Sequence, residues 1–175
     1  VVMSNNTPNN FAGFHVRQTP MTADEKIRAE RAQVIRNEIE EIVSVEGASF
    51  LDRSPIIGAI NPLAMPMTIT TSTDKNGRIN VVGSVTFGSA YEGPPGCVHG
   101  GVIAAYFDEV CGVAQSTTGN PGMTVNLTIN YRAPTPLHKP LEFRAFVAST
   151  EKRKIITTGS LYHGETLCAE ATGIF

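Results

Sequence analysis

The alternation of apolar and polar residues predicts most of the strands in this 175-residue chain. Between residues 123 and 131 every second residue is apolar or aromatic, and the residues between them are Thr or Asn. Because side chains of a strand point alternately to its two faces, this pattern predicts a strand with one apolar face. An Asn76-Gly77 turn signal between residues 67–74 and 79–87 predicts a hairpin. Two or three further strands are predicted within 141–149, 154–162 and 166–175.

Two other stretches place apolar residues at helical spacing. Residues 23–45 carry isoleucines and valines among charged residues, and Thr22 with Glu25 forms a capping box at their start. We interpret this amphipathic helix as a cover for an edge or face of the sheet. The second stretch, about 100–118, is rich in helix formers and has no proline. One long helix within a series of antiparallel strands predicts an α+β fold, in which the helix lies against one face of a curved sheet.

Length and composition favour a single domain. Of the 175 residues 41% are apolar, which is enough for a substantial core. Residues 1–20 are rich in Asn, Pro and Thr and are predicted to form a mobile arm. Residues 21–175 would then form one domain, with a helix over 22–46 and a core over 50–175. Prolines between 55 and 66 predict an irregular crossing segment between the two.

The charge, cysteine and hydropathy patterns exclude several functional classes. A net charge of −2 gives no indication of nucleic-acid binding. No apolar run approaches the length of a membrane span, and the N-terminus has no apolar core typical of a signal peptide. Three scattered cysteines without a CxxC pair fit a reducing, cytoplasmic setting. The four scattered histidines and the lack of nucleotide fingerprints predict neither a metal nor a cofactor.

The candidate chemistry lies in residues 92–112, where a Gly- and Pro-rich loop changes abruptly into the second helix. We place the helix N-terminus at His99, Gly100 and Gly101. The first backbone N–H groups of a helix have no internal partner, so this end could stabilise an oxygen that becomes negative during a reaction. Asp108 lies in the middle of the same helix in largely apolar surroundings, and a carboxylate there suggests a function.

The same helix presents two different faces. Bulky apolar residues form one of them, and the other is a stripe of small residues around Asp108, namely Gly101, Ala104, Ala105 and Gly112. Small side chains let another group come close. That group could be the protein's own sheet, a partner helix or a thin apolar ligand. Tyr106 and Phe107 could close a tunnel for such a ligand from the other face of the helix.

Helix geometry links Gly100 and Asp108 to a second subunit. Eight residues at 1.5 Å each separate them by about 12 Å, which is too far for both to act on one carbonyl group. Two antiparallel copies of this helix, related by a two-fold axis, would place Asp108 of one opposite Gly100 of the other. If both residues serve one reaction, the sequence predicts a homodimer, or a dimer of dimers.

The run Tyr91-Glu-Gly-Pro-Pro-Gly-Cys-Val-His-Gly-Gly101, followed by Asp108, resembles the hotdog-fold acyl-CoA thioesterases. Within that group it is similar to the phenylacetate-type and thioesterase-superfamily-member branches. Gly58-x-x-Asn-Pro-Leu-Ala64 upstream and the Thr124–Pro134 segment downstream support the resemblance, which covers roughly residues 50–175. It implies a curved antiparallel sheet wrapped around one central helix, with an extra helix at the N-terminus.

The resemblance also implies roles for individual residues. Gly100 matches the family's oxyanion donor, and Asp108 matches its catalytic carboxylate. Thr124 matches a hydroxyl residue that helps to place the attacking water. His99 matches the histidine that sets up the turn and contacts the thioester. The implied reaction is hydrolysis of a fatty acyl-CoA to the free acid and coenzyme A, as part of lipid metabolism, with coenzyme A present only as part of the substrate.

Substrate-binding residues follow less directly. Where some members of the family carry an Asn, this chain has Gly93, which leaves Glu92 or His99 to take part of that role. The small residues Gly101 and Ala104 are expected beside the acyl chain, and the stripe to which they belong favours aliphatic acyl groups of medium to long length. Basic residues that could hold coenzyme A phosphates include Arg132, together with His138, Lys139, Arg144, Lys152, Arg153 and Lys154.

Several alternatives remain open on sequence alone. Glu109 rather than Asp108 could be the reactive carboxylate, although it points about 100° away around the helix. His99 could only cap the helix, and Cys97 with His99 could form a nucleophilic pair. The protein could also be a non-catalytic acyl-CoA-binding module or a purely structural dimer. A hotdog enoyl-CoA hydratase would resemble its family through an Asp-x-Asn-x-x-His arrangement, which is absent from this sequence.

Overall fold

The computed structural model describes residues 20–43 and 50–175. Helix α1 spans Ala23–Val43 and begins at the predicted capping box. The Thr22 N–H donates to Glu25 Oε2 at 2.7 Å, and the Glu25 N–H donates to Thr22 Oγ1 at 3.3 Å. These reciprocal bonds satisfy two N–H groups that the first turn leaves without partners. Residues 1–19 of the predicted arm lie outside the described residues. That α1 covers an edge or face of the sheet stays a prediction.

In the part of the chain that the structure describes, six antiparallel strands form one sheet in the order β1-β2-β4-β5-β6-β3. The predicted alternation is confirmed, and the last three strands are all present. The central helix α3 spans Gly100–Ser116 and connects β2 to β3. The strands are β1 (Thr68–Thr73), β2 (Ile79–Val85), β3 (Asn126–Tyr131), β4 (Leu141–Glu151), β5 (Lys154–His163) and β6 (Thr166–Ile174).

The bulky face of α3 packs on the sheet, as the sequence predicted. Tyr106 and Phe107 are at most 2% exposed and meet Phe143 of β4 at ring-centroid distances of 5.8 and 5.1 Å. Their burial removes large apolar surfaces from water and anchors the helix. The expectation that Tyr106 and Phe107 close a substrate tunnel was therefore wrong, because both side chains are part of the core.

The stripe of small residues faces away from this core. Ala104, Ala105 and Gly112 are only partly buried, and Gly101 is exposed. Of the three possibilities that the sequence left open for this stripe, packing on the protein's own sheet is excluded. Its free face remains available to a ligand or to another helix.

The one-turn helix α2 (Phe50–Arg53) is followed by residues 54–67, which are irregular, as predicted. A side chain at Gly58 would meet the backbone carbonyl oxygen of Asp52 at 2.4 Å, so the tight turn there requires glycine. The Asn61 amide donates to the Arg53 carbonyl at 3.1 Å and accepts from the Leu63 N–H at 3.1 Å. These bonds explain why a Gly-x-x-Asn-Pro sequence stands at this position.

Strand β3 begins at Asn126, three residues later than the alternation predicted. Residues 121–125 have no regular secondary structure, although the Val125 N–H donates to the Ile174 carbonyl at 2.8 Å. β3 pairs with β6 alone and forms one edge of the sheet, with Met123 and Val125 highly exposed beside it. Within the described residues, no helix is long and apolar enough to span a membrane.

Candidate active site

The Gly- and Pro-rich loop is folded tightly against the start of α3. The His99 N–H donates to the Tyr91 carbonyl, and the Gly93 N–H donates to the Cys97 carbonyl, each at 2.9 Å. A side chain at Gly93 would lie 2.7 Å from the His99 Cα atom, so only glycine allows this approach. The loop therefore fixes the position at which the helix begins.

His99 is the N-cap of α3, and its Nδ1 accepts a hydrogen bond from the Gly101 N–H at 3.0 Å. This contact confirms the predicted capping role. It also occupies Nδ1 as an acceptor, so the neutral ring carries its proton on Nε2. A contact between Nε2 and a thioester stays a prediction.

The Gly100 N–H is the group that the helix start leaves available. Within residues 20–43 and 50–175, no acceptor is bonded to it. Neighbouring N–H groups are occupied, because Val102 and Ile103 both donate to the His99 carbonyl. The free N–H carries the partial positive charge of the helix terminus and is suited to bind a developing oxyanion.

Tyr131 holds the carbonyl group of the same residue. Its hydroxyl donates to the Gly100 carbonyl oxygen at 2.7 Å, from the last position of β3. The Gly100–Gly101 peptide is therefore held at both ends, by Tyr131 on its oxygen and by His99 on its N–H. Partial burial raises the pKa of Tyr131 above its usual value, which keeps the hydroxyl protonated as a donor. Tyr131 was predicted only as a strand residue.

The catalytic candidates Asp108 and Thr124 are in direct contact. The Thr124 hydroxyl donates to Asp108 Oδ1 at 2.7 Å. Both line a cleft of about 580 Å³, together with the apolar residues Leu51, Val113 and Met123. On sequence alone, Thr124 was an ordinary strand residue unless the fold brought it beside Asp108, and the fold does so.

Glu109 has a different partner. Its Oε1 accepts a hydrogen bond from the hydroxyl of Ser54 at 2.8 Å. Ser54 is 3% exposed and also accepts from the backbone N–H groups of Ile56 and Ile57, so it anchors the crossing segment. Glu109 thereby fastens this segment to α3. Its neighbour Asp108 is the carboxylate that pairs with the candidate threonine.

One chain keeps the two halves of the predicted site apart. Gly100 lines a second cleft of about 430 Å³ with Cys97, Tyr131 and Arg132, whereas Asp108 lines the first cleft. Eight residues of helix correspond to about 12 Å between their backbone positions. Gly100 and Asp108 thus line different clefts, and that a second copy of the chain unites them stays a prediction.

The predicted substrate-binding residues have varied surroundings. The Glu92 carboxylate accepts from the Gly96 N–H at 2.7 Å, where Gly96 has φ of +74°, and so stabilises the loop. Arg132 borders the Gly100 cleft, and its guanidinium pairs with Glu170 at 2.8 Å while remaining half exposed. Ala104 is partly buried on the small stripe. That these residues and Gly101 contact substrate stays a prediction.

Two of the three cysteines, Cys111 and Cys168, are buried, whereas Cys97 is partly exposed. Burial raises the pKa of Cys111 to about 11, so its thiol stays protonated in the core. Cys168 is also fully buried. In the described part of the chain, no three His, Cys, Asp or Glu side chains are grouped to hold a metal ion. That the reaction needs no metal or cofactor stays a prediction.

Gln115 is a second residue that sequence reasoning missed. It is 3% exposed at the end of α3, and its side-chain amide bonds to both backbone groups of Gly122. A buried amide in an otherwise apolar helix is the signal that could have drawn attention to it. Its partner could not have been identified from spacing.

Comparisons with known proteins indicate the family of this chain. The family model described as Thioesterase superfamily matches residues 95–170. Acyl-coenzyme A thioesterase THEM4 of Xenopus laevis is 36% identical over 90 residues, which are 50% of this chain and 40% of that protein. The Bos taurus THEM4 protein is also 36% identical over 90 residues, with coverage of 50% and 37%. The chain thus spans less than half the length of these relatives.

Solved structures extend the similarity to nearly the whole chain. A crystal structure of a thioesterase superfamily protein has 32% sequence identity and a TM-score of 0.66, and the match covers 88% of this chain and 83% of that one. Mouse (Mus musculus) thioesterase superfamily member 2 has 19% identity and a TM-score of 0.54 over 62% of this chain and 79% of its own, and shows the fold alone. The expected hotdog fold is confirmed, and the chain belongs to the thioesterase superfamily.

Proposed function

We propose that the protein is an acyl-CoA thioesterase that hydrolyses the thioester of a fatty acyl-CoA to the free acid and coenzyme A. The observation that carries this proposal is the 2.7 Å hydrogen bond from Thr124 to Asp108 at the wall of an open cleft. A carboxylate held in this way can activate a water molecule. The THEM4 relatives, whose name states an acyl-coenzyme A thioesterase, support the substrate class.

The hydrogen bond leaves Asp108 with a free oxygen. Thr124 donates to Oδ1, so Oδ2 can accept a proton from water. The Thr124 oxygen keeps lone pairs and can accept the second O–H of the same water. Two acceptors on one wall would orient the lone pair of the water toward the substrate, which is the positioning that this reaction requires.

Hydrolysis then proceeds through a tetrahedral intermediate. The thioester carbonyl oxygen binds to the Gly100 N–H, where the helix terminus stabilises the negative charge that develops. Water adds to the carbonyl carbon while Asp108 takes its proton. The carbon–sulfur bond breaks, coenzyme A leaves as a thiolate, and the proton on Asp108 can return to that thiolate. Direct attack by Asp108 through an anhydride, which water then opens, leads to the same products.

The proposed assembly is a homodimer with two identical composite sites. Asp108 and Thr124 of one protomer would act on a carbonyl bound by Gly100 of its partner. The separate clefts of a single chain support this assembly. Light scattering should give a dimer or a multiple of one, and an active monomer would contradict the composite site. A dimer of dimers is compatible with the same site.

The substrate preference is proposed from the shape of the Asp108 cleft. Leu51, Val113 and Met123 give it apolar walls, and Gly112 leaves open space one turn beyond Asp108. We propose that the acyl chain lies there and is of medium or greater length. A thiol-release assay across acetyl-, phenylacetyl-, decanoyl- and palmitoyl-CoA tests this proposal. Faster turnover of the first two substrates would contradict it.

The same assay separates catalysis from binding alone. Release of free thiol that depends on Asp108 identifies a hydrolase. Retained acyl-CoA binding with no thiol release would identify the non-catalytic module instead. A hotdog hydratase would carry an Asp-x-Asn-x-x-His arrangement, which this sequence lacks. Asp108 and His99 are bonded to Thr124 and Gly101 and not to each other.

A further inference from the structure

Gln115 and Asp108 lie on the same face of α3, seven residues and about two helical turns apart. Gln115 is almost fully buried, whereas Asp108 borders the cleft. Burying an uncharged amide is costly unless each polar atom has a partner. Gln115 meets this requirement through contacts with the chain that follows α3.

The partner of Gln115 is the backbone of Gly122. Gln115 Oε1 accepts from the Gly122 N–H at 3.0 Å, and Nε2 donates to the Gly122 carbonyl at 3.2 Å. A further bond of 3.2 Å runs from Nε2 to the Ser116 hydroxyl. The amide therefore pairs with both polar groups of one glycine, as a neighbouring strand would.

Gly122 belongs to the irregular segment that carries Thr124. After Gln115 the next backbone attachment of this segment is the bond from the Val125 N–H to the Ile174 carbonyl at 2.8 Å. Thr124 lies between these two attachments. Since Gln115 is rigidly connected to Asp108 through the helix, it fixes the distance between Thr124 and Asp108.

We infer that Gln115 is a positioning residue that holds Thr124 on Asp108. This inference rests on the proposed function, because it assigns Gln115 a role in the same reaction. Gln115 does not border the reacting atoms and acts only through Thr124. Without its amide, Gly122 would lose its attachment to α3, and the Thr124 hydroxyl would leave Asp108 for part of the time.

The test compares Gln115→Met, Thr124→Val and the double variant. Gln115→Met keeps the length of the side chain and removes both hydrogen bonds to Gly122. Each single variant should lower kcat by about tenfold, with KM within about twofold of wild type, because a hydrogen bond to a charged group is lost. In the double variant kcat should match that of Thr124→Val alone, because the two residues act as one unit.

Thr118→Val is the matched control. The Thr118 hydroxyl donates to the Gln115 carbonyl at 2.8 Å and accepts from the Asn120 N–H at 3.3 Å, so it holds the same segment at another place. This variant should keep kcat within about twofold of wild type. A general loosening of the segment would slow Thr118→Val as much as Gln115→Met, and that result would overturn the inference.

Hydrogen exchange and a second substitution at Gln115 test the inference independently of turnover in Gln115→Met. Amide hydrogen exchange in folded Gln115→Met should accelerate at Gly122 and not in β5, and unchanged exchange at Gly122 would overturn the inference. If Gln115→Met does not fold, Gln115→Glu replaces it, since it keeps the size and one acceptor. Wild-type kcat in either folded variant, with Thr124→Val slow, also overturns the inference. Wild-type turnover in both Thr124→Val and Asp108→Asn would instead refute the proposed function.

Discussion

The hydroxyl of Thr124 lies 2.7 Å from Asp108 Oδ1, although the two residues are sixteen positions apart and lie in different elements. The contact joins the middle of the central helix to the segment that precedes β3. It holds Oδ1 of the Asp108 carboxylate at the wall of the cleft that both residues line. Substitutions at these two residues therefore give the first tests of the proposed chemistry.

Asp108→Asn should preserve folding and abolish most turnover. Asparagine has nearly the same shape and can still accept a bond from Thr124, but it can neither take a proton from water nor attack as a carboxylate. General-base catalysis typically contributes about 10²–10⁴-fold, so kcat should fall at least about a hundredfold. Acyl-CoA binding, measured by calorimetry, should change little, because the apolar walls of the cleft remain.

Glu109→Gln is the paired control for Asp108→Asn. Its amide can still bond to Ser54, so most activity should remain, with a modest loss of stability. If Glu109→Gln lost most of its kcat while Asp108→Asn stayed active, the catalytic carboxylate would be Glu109 and the assignment to Asp108 would be wrong.

Thr124→Ser should retain most of the turnover that Thr124→Val loses. Serine keeps the hydroxyl that donates to Asp108, whereas valine keeps only the shape of the side chain. Steady-state kinetics at saturating acyl-CoA distinguishes the two. Equal activity in both variants would show that the hydroxyl has no part in the reaction.

Most of the fold could be predicted from the sequence, because the patterns that indicate strands and helices involve residues close together in the chain. Period-two alternation located the strands, and the change from a Pro-Pro-Gly loop to a proline-free run located the start of α3 at His99. The exact beginning of β3 was not accessible, because residues 123–125 continue the alternation but do not join the ladder. Pairing with β6 decides where the strand starts, and single-sequence patterns do not contain that information.

The site was only partly accessible for a similar reason. The spacing along the helix predicted that Gly100 and Asp108 are too far apart to act together within one chain. Thr124 was identified only through the family resemblance. The contacts of Ser54 with Glu109 and of Tyr131 with Gly100 join residues 55 and 31 positions apart. Such pairs depend on how helix, sheet edge and loop pack together.

Tyr131→Phe should lower kcat because it disturbs the start of α3, where the Gly100 N–H is proposed to bind the oxyanion. Loss of the hydroxyl frees the Gly100 carbonyl and loosens the peptide next to the Gly100 N–H. We expect a decrease of about three- to tenfold in kcat and little change in KM, since the interaction strengthens in the transition state. Below the raised pKa of Tyr131 the hydroxyl is protonated, so the difference from wild type should persist across neutral pH.

Tyr91→Phe is the control for Tyr131→Phe. It removes a hydroxyl that donates to the Leu63 carbonyl at 3.0 Å, a bond of the same kind away from Gly100. Its kcat should stay within about twofold of wild type. Similar losses in both variants would mean that Tyr131 contributes only to stability.

Gly112→Leu should shift the acyl-chain preference toward shorter substrates. A Cβ atom at Gly112 would meet nothing within 4 Å, so the helix can accept a larger side chain without internal clashes. The leucine would fill part of the Asp108 cleft, and kcat/KM for palmitoyl-CoA should fall more than for hexanoyl-CoA. An unchanged ratio would place the acyl chain elsewhere.

Gly112→Ala is the small counterpart of that change. Replacing a glycine inside a helix by alanine stabilises the helix by up to about 1 kcal/mol, so Tm should rise slightly. The chain-length ratio should stay close to that of wild type, because one methyl group fills little of the cleft.

A substitution at Gly100 can remove the proposed oxyanion donor while leaving Asp108 and Thr124 unchanged. Gly100 is the first residue of α3, where proline is well tolerated, and Gly100→Pro deletes the N–H proposed to bind the oxyanion. Gly100→Ala keeps that N–H and places the same Cβ atom 3.3 Å from the Tyr131 hydroxyl. Gly100→Pro should therefore be far less active than Gly100→Ala.

The most direct test combines two inactive chains. Asp108→Asn and Gly100→Pro subunits with different tags are co-expressed in equal amounts, and thiol release by the mixed population is measured. In a mixed dimer one composite site carries both changes and the other carries neither. With random pairing, about a quarter of wild-type activity should return, and it should follow the doubly tagged species. Activity no greater than the sum of the two variants alone would contradict a site shared between subunits.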